Sequence, residues 1–265
     1  MARVDRGALF KLGGIFAAVW LLWSTPVVYP LKVLVVLLHE ISHGIAAVAT
    51  GGSIDRIVVS ADEGGVCWTS GGVRFITLSA GYLGSMLWGS MILIVASRTR
   101  FDRLLCGALG MFLLLVTLRF VQNGFGQGFG VAAGAVLVLA AWRLPEAVSD
   151  LTLKTIGLTS CLYAILDIKS DILDRPGAAS DAGMLHDLTH IPTIVWGVLW
   201  ILAALGVAAV TLLVAAPGEG EPSSRIEAKP HGSPLAAPGG ARASLDDAAA
   251  LIDELARGLP PRVKP

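Results

Sequence analysis

Leu31-Lys32-Val33-Leu34-Val35-Val36-Leu37-Leu38-His39-Glu40-Ile41-Ser42-His43-Gly44-Ile45-Ala46-Ala47-Val48-Ala49-Thr50 is the stretch whose reading decides the fold. It matches the roughly 20 residues that a helix needs to cross a bilayer. Its middle nevertheless carries two histidines, a glutamate and a serine. A charged group at that depth costs at least about 2.5–3.5 kcal/mol, and ionisable residues kept there are functional by default. The stretch therefore reads as a transmembrane helix that carries a chemical site.

Working outward, about six further runs approach the same length. With the first they are Leu9–Val28, Leu31–Thr50, Phe75–Ala96, Leu104–Val121, Phe125–Trp142, Leu151–Leu166 and Thr193–Val214. The expected fold class is an all-α polytopic membrane protein of about seven transmembrane helices with a short interfacial β-hairpin. Composition agrees: 54% of residues are hydrophobic and 15% charged, where a soluble domain is nearer a quarter charged. Twenty basic residues balance twenty acidic ones, so no global field favours nucleic acid. Cys67, Cys106 and Cys161 are scattered and form neither a disulfide framework nor a thiolate zinc site. The first run follows Arg3, Arg6 and Lys11 but is interrupted by Pro26 and Pro30 with no small-residue cleavage site, so it is read as an uncleaved helix. Arg98, Arg100 and Arg103 pull the orientation one way and Arg3, Arg6 and Lys11 the other.

Between the second and third runs, Ile54, Ile57, Val58 and Val59 form one β-type run, Asp62-Glu63-Gly64-Gly65 a turn, and Val66-Cys67-Trp68-Thr69 a second run. Bare strands are excluded from hydrocarbon, because their edge N–H and C=O groups would lack partners. The hairpin should lie at the interface or against helices. Gly126, Gly130 and Gly134, and likewise Gly81, Ser85 and Gly89, recur every four residues and read as ordinary close helix packing. Residues 1–215 form the membrane-embedded domain. Residues 216–243, rich in Pro, Gly, Ala and Ser, read as a disordered linker, and 244–265 as a tail with a short amphipathic helix capped by Ser244.

The chemistry lies in His39-Glu40-Ile41-Ser42-His43. Positions i and i+4 share a helix face, so both imidazoles can reach one metal ion. Catalytic zinc takes three protein ligands plus water, and a glutamate beside the first ligand suits a general base acting on that water. Zn2+ is thus the expected cofactor, His39 and His43 the expected ligands, and Glu40 the expected base. A third ligand is sought in Asp167-Ile168-Lys169-Ser170-Asp171. Asp167 ends the sixth run and Asp171 lies a turn further on; either carboxylate can complete the site, the other standing behind it. Asp167 is preferred. A second spaced pair, His186 and His190, lacks a following glutamate and reads as a surface pair. Two other readings stand beside the enzyme. One is a catalytically silent metal-binding membrane scaffold. The other is a proton-coupled transporter relaying through Glu40, Asp167 and Asp171.

These residues resemble the site-2 protease family of intramembrane zinc metallopeptidases, in its compact bacterial branch without a PDZ domain. The resemblance starts at His39–Gly44 with Ala46, Ala47, Gly51 and Gly52, and continues through Ser79-Ala80-Gly81-Tyr82-Leu83-Gly84-Ser85. Leu162–Asp171 is similar to the family's distal aspartate region, although Ile168 follows Asp167 where many members carry glycine. Ser180-Asp181-Ala182 and Trp196-Gly197-Val198-Leu199-Trp200 also look like the compact branch. The resemblance implies a multi-pass protein of the bacterial cytoplasmic membrane, with its N-terminus inside. It implies membrane-protein substrates cleaved within or beside a membrane segment, with His39, His43 and Asp167 on zinc and Glu40 as base.

Overall fold

The structure, a computed structural model, describes residues 6–170, 172 and 180–215. In chain order its elements are α1 (Arg6–Leu21), α2 (Tyr29–Ala49), β1 (Ser53–Val59), β2 (Gly65–Ser70), α3 (Arg74–Arg98), α4 (Asp102–Phe120), α5 (Gly124–Arg143), α6 (Glu146–Lys169), α7 (Asp181–Thr189) and α8 (Thr193–Ala215). The linker and tail expected over residues 216–243 and 244–265 lie outside the described residues, as does Asp171.

Among the described residues six helices, α2 to α6 and α8, are long and apolar enough to cross a membrane. They are the second to seventh runs of the sequence. The first run falls short: α1 has 16 residues and stops at Leu21. Leu22 to Val28 form hydrogen-bonded turns instead, with Thr25 Oγ1 donating to the Leu22 carbonyl at 2.6 Å. Pro26 offers no N–H to continue the ladder and disfavours helical backbone at Thr25.

The bundle is built around α2. The span of α2 is 67% buried, against 28% for α4 and α5 and 22% for α8. Its residues Val33 to Leu38 and Ile41 form the centre of the main apolar cluster, joined by Ile92 of α3, Leu113 of α4 and Leu153 and Ile156 of α6. Among apolar helices in lipid, close approach rather than water exclusion holds neighbours together. Gly89 of α3 faces the Gly157 carbonyl of α6, and Gly110 of α4 faces the Gly134 carbonyl of α5, each with no room for a Cβ.

The hairpin forms as its sequence suggests. β1 and β2 pair antiparallel from Ser53↔Ser70 to Val59↔Gly65, with a bulge between Ile54 and Arg56. Gly51, at φ +90°, turns the chain out of α2, and Gly72, at φ +73°, turns it toward α3; only glycine enters that region at no steric cost. The pair packs on α2. The outer edge of β1 is covered by the segment entering α5. Gln122 N–H donates to the Ile57 carbonyl at 3.0 Å, and Asn123 accepts from Val59 N–H at 3.2 Å and donates to its carbonyl at 2.7 Å. The tip is tied down too: Tyr29 Oη donates to the Ala61 carbonyl at 2.7 Å, and Lys32 pairs with Glu63 at 3.0 Å. That accounts for β1 and the tip. β2, by contrast, has β1 on one side only among the described residues.

Candidate metal centre

The open side of β2 borders a cavity of about 940 Å³ enclosed by α2, the hairpin, α3, the end of α6 and the start of α7. Its polar lining includes His39, Glu40, His43, Thr77, Asp167 and Asp181. The helical spacing of α2 brings His39 and His43 to one face, their rings 4.9 Å apart.

The third member comes from elsewhere than the end of α6. Asp181 Oδ2 stands 3.1 Å from Nε2 of His39 and 3.1 Å from Nε2 of His43. Among the described residues these three are the group that can hold a metal ion, with ligand atoms all within 4.8 Å of one another. Asp167, expected in this role, lines the same cavity but does not join that group. The physical reason is the route of the chain. α6 ends at Lys169, and the carboxylate that meets the imidazoles is carried back by α7, whose first residue is Asp181. Ser180 caps that helix, its side chain accepting from Gly183 N–H at 3.2 Å. A helix start favours a carboxylate. Burial would push the Asp181 carboxyl up, but His43 and His39 facing it hold it below the usual carboxylate range.

The donor set fits a cation. His43 Nδ1 donates to the Thr77 carbonyl at 2.7 Å, which leaves the Nε2 lone pair of the neutral ring aimed at a carboxylate oxygen. A shared proton or a metal ion between them satisfies both groups. Ligand atoms about 2.0–2.1 Å from a tetrahedral zinc lie roughly 3.3 Å apart, close to the spacing of Asp181 from each imidazole. The backbone carbonyl on His43 is the usual partner that fixes a metal-binding tautomer.

Two glycines make room for this arrangement. A Cβ on Gly81 of α3 would strike His39 Nε2 and Asp181 Oδ2, and one on Gly65 of β2 would meet the Glu40 carboxyl. Gly81, read from its spacing as ordinary packing, thus belongs to the site. Tyr82 beside it sets its ring edge-on to His39 at 5.2 Å. Glu40 is 5% exposed, and the backbone N–H of Cys67 lies toward its carboxyl. Burial, with Glu40 and Asp55 nearby, pushes the Cys67 thiol up to about 12, and Cys67 does not belong to the group that can hold the ion. The second histidine pair is accounted for structurally: His186 Nδ1 donates to the Ile191 carbonyl at 2.9 Å, and His190 caps α7 at φ 59°. The signal that could have found Asp181 was present, since Ser180-Asp181 reads as a capped helix start within a stretch resembling the family.

A family model, peptidase M50B-like, matches residues 12–211. The chain belongs to that family and is an integral membrane metallopeptidase of the site-2 protease type. No curated protein and no solved structure matches it.

Proposed function

With that membership as premise, we propose that the chain is a zinc endopeptidase that cleaves protein substrates within or beside their membrane segments, in a bacterial cytoplasmic membrane. The observation that carries this reading is the convergence of His39, His43 and Asp181 beside Glu40 on one cavity. These three residues would hold the ion. Zinc there would polarise the scissile carbonyl and lower the pKa of water toward about 7.

The chain's own residues do the rest. Glu40 takes the proton of the attacking water as its oxygen bonds to the scissile carbon. Glu40 then delivers that proton to the departing amine as the C–N bond breaks. Asp167, on the cavity wall, stands behind the ligands as a second carboxylate.

A helical substrate has its carbonyls committed to its own ladder, so it must unwind before attack. β2 suits the unwound strand. Its outer side lines the cavity, and the Cys67 N–H that lies toward Glu40 shows which way alternate N–H groups of β2 face. An extended segment can add there as a third strand. The test is cleavage of a membrane-spanning peptide in detergent by the wild type, Glu40→Gln and Thr69→Pro. Thr69 lies two residues beyond Cys67, so proline removes an N–H from the same edge. Zinc retained in both variants with cleavage lost in both supports the reading. Full cleavage by Glu40→Gln overturns it, and full cleavage by Thr69→Pro removes the strand-addition step.

A further inference from the structure

Thr77 occupies the first turn of α3 and is 7% exposed. Its backbone has a defined task, since its carbonyl accepts from His43 Nδ1 and its N–H donates to the Val73 carbonyl at 3.0 Å. Its side chain has none. Thr77 Oγ1 is buried and has no hydrogen-bond partner among the described residues.

The helical hydroxyls elsewhere show what Thr77 forgoes. Ser42, Ser85, Thr155, Thr159, Thr189 and Thr211 each donate to the carbonyl four residues back. A helical hydroxyl makes that bond when its rotamer turns it back toward the preceding turn. The hydroxyls of Ser97, Thr117 and Ser149 also lack a hydrogen-bond partner among the described residues, but none of the three lines the cavity. Thr77 does, on the same lining as His39, Glu40, His43 and Asp181. It also stands one turn before Gly81, the residue pressed against His39 and Asp181.

A buried hydroxyl without a partner is costly. Oγ1 itself is closed off from the cavity, so a polar ligand removes the cost once the side chain turns toward it. We infer that Thr77 is a further catalytic residue, its Oγ1–H donating to the scissile carbonyl oxygen of the bound peptide as negative charge develops there. This assignment rests on the peptidase reading above. Preorganised donors of this kind act where charge appears in the transition state, and removing one costs about 10²–10³-fold in kcat. The donor is placed for this work by the same turn of helix that orients His43, and the two tasks are separable. The carbonyl of residue 77 holds the imidazole whatever side chain the residue bears.

The experiment compares Thr77→Val, Thr77→Ser and the wild type on a quenched fluorescent membrane peptide that the wild type cleaves and Glu40→Gln does not. Zinc content and thermal midpoint are read on the same preparations. Thr77→Val, near in shape, is expected to keep its zinc and its midpoint, to lose about 10²-fold in kcat, and to leave KM within a few-fold. Thr77→Ser should recover most of the rate. A Thr77→Val enzyme with wild-type kcat and zinc overturns this assignment and leaves the peptidase reading intact. Equal loss in Thr77→Ser and Thr77→Val overturns it too, since shape rather than the hydroxyl would then matter. If no membrane peptide separates the wild type from Glu40→Gln, the peptidase reading falls and this assignment with it.

Discussion

The two walls of the cavity are built differently. On one, α2 delivers His39, Glu40 and His43 from a single regular helix of 21 residues. On the other, the end of α6 supplies Asp167, and the nine-residue α7 supplies Asp181. The first wall is a matter of helical period, fixed by residues four apart. The second depends on where the chain returns after α6 ends. A local rule reads the first wall; the second is a tertiary fact.

The comparison breaks most easily at the general base. Glu40→Gln should lower kcat by about 10²–10⁴-fold while zinc stays bound, whereas Asp167→Asn across the cavity should cost only about 10–100-fold. Turnover and metal content on the same samples check both. If Asp167→Asn were the more damaging, the roles of the two walls would be reversed.

The next effect comes from the seam. Gly81→Ala pushes a methyl onto His39 and Asp181 together. Zinc affinity should fall by about 10²-fold or more, the upper end for altered support of a metal ligand. A competitive chelator titration reads it directly. Gly65→Ala crowds only the carboxyl end of Glu40. It should keep full zinc and lose up to about 10²-fold in cleavage, the scale of a 1 Å misplacement. Zinc loss in Gly65→Ala would mean that the hairpin holds the ion as well as the base.

The smallest effect is expected at Cys67. Its thiol is pushed up to about 12, so it stays protonated through pH 7–9. Alkylation by iodoacetamide should be slow over that range, and Cys67→Ser should keep its zinc. Fast alkylation rising through pH 8 would show an ordinary thiol instead.

Much of this molecule was legible beforehand, for particular reasons. The hairpin was readable because β-branched runs flank a glycine turn, and the second to seventh spans because their apolar length has no alternative solvent. The helix of the first run ends at Leu21, short of its apolar length, and the chain turns through Leu22 to Val28 around Pro26. Asp167 drew attention because it ends a span, and sequence distance to His39 carries no information about space. Asp181 lies 142 residues from His39 yet 3.1 Å away. Gly81 and Thr77 could not be found from spacing, since a Cβ clash and an unpaired hydroxyl exist only once α3 is set against α2.

The most direct test is zinc per chain in detergent-purified protein, comparing Asp181→Ala with Asp167→Ala. The proposed site predicts about one zinc in the wild type and in Asp167→Ala, and close to none in Asp181→Ala. Zinc kept in Asp181→Ala and lost in Asp167→Ala would contradict the assignment and return the third ligand to the end of α6.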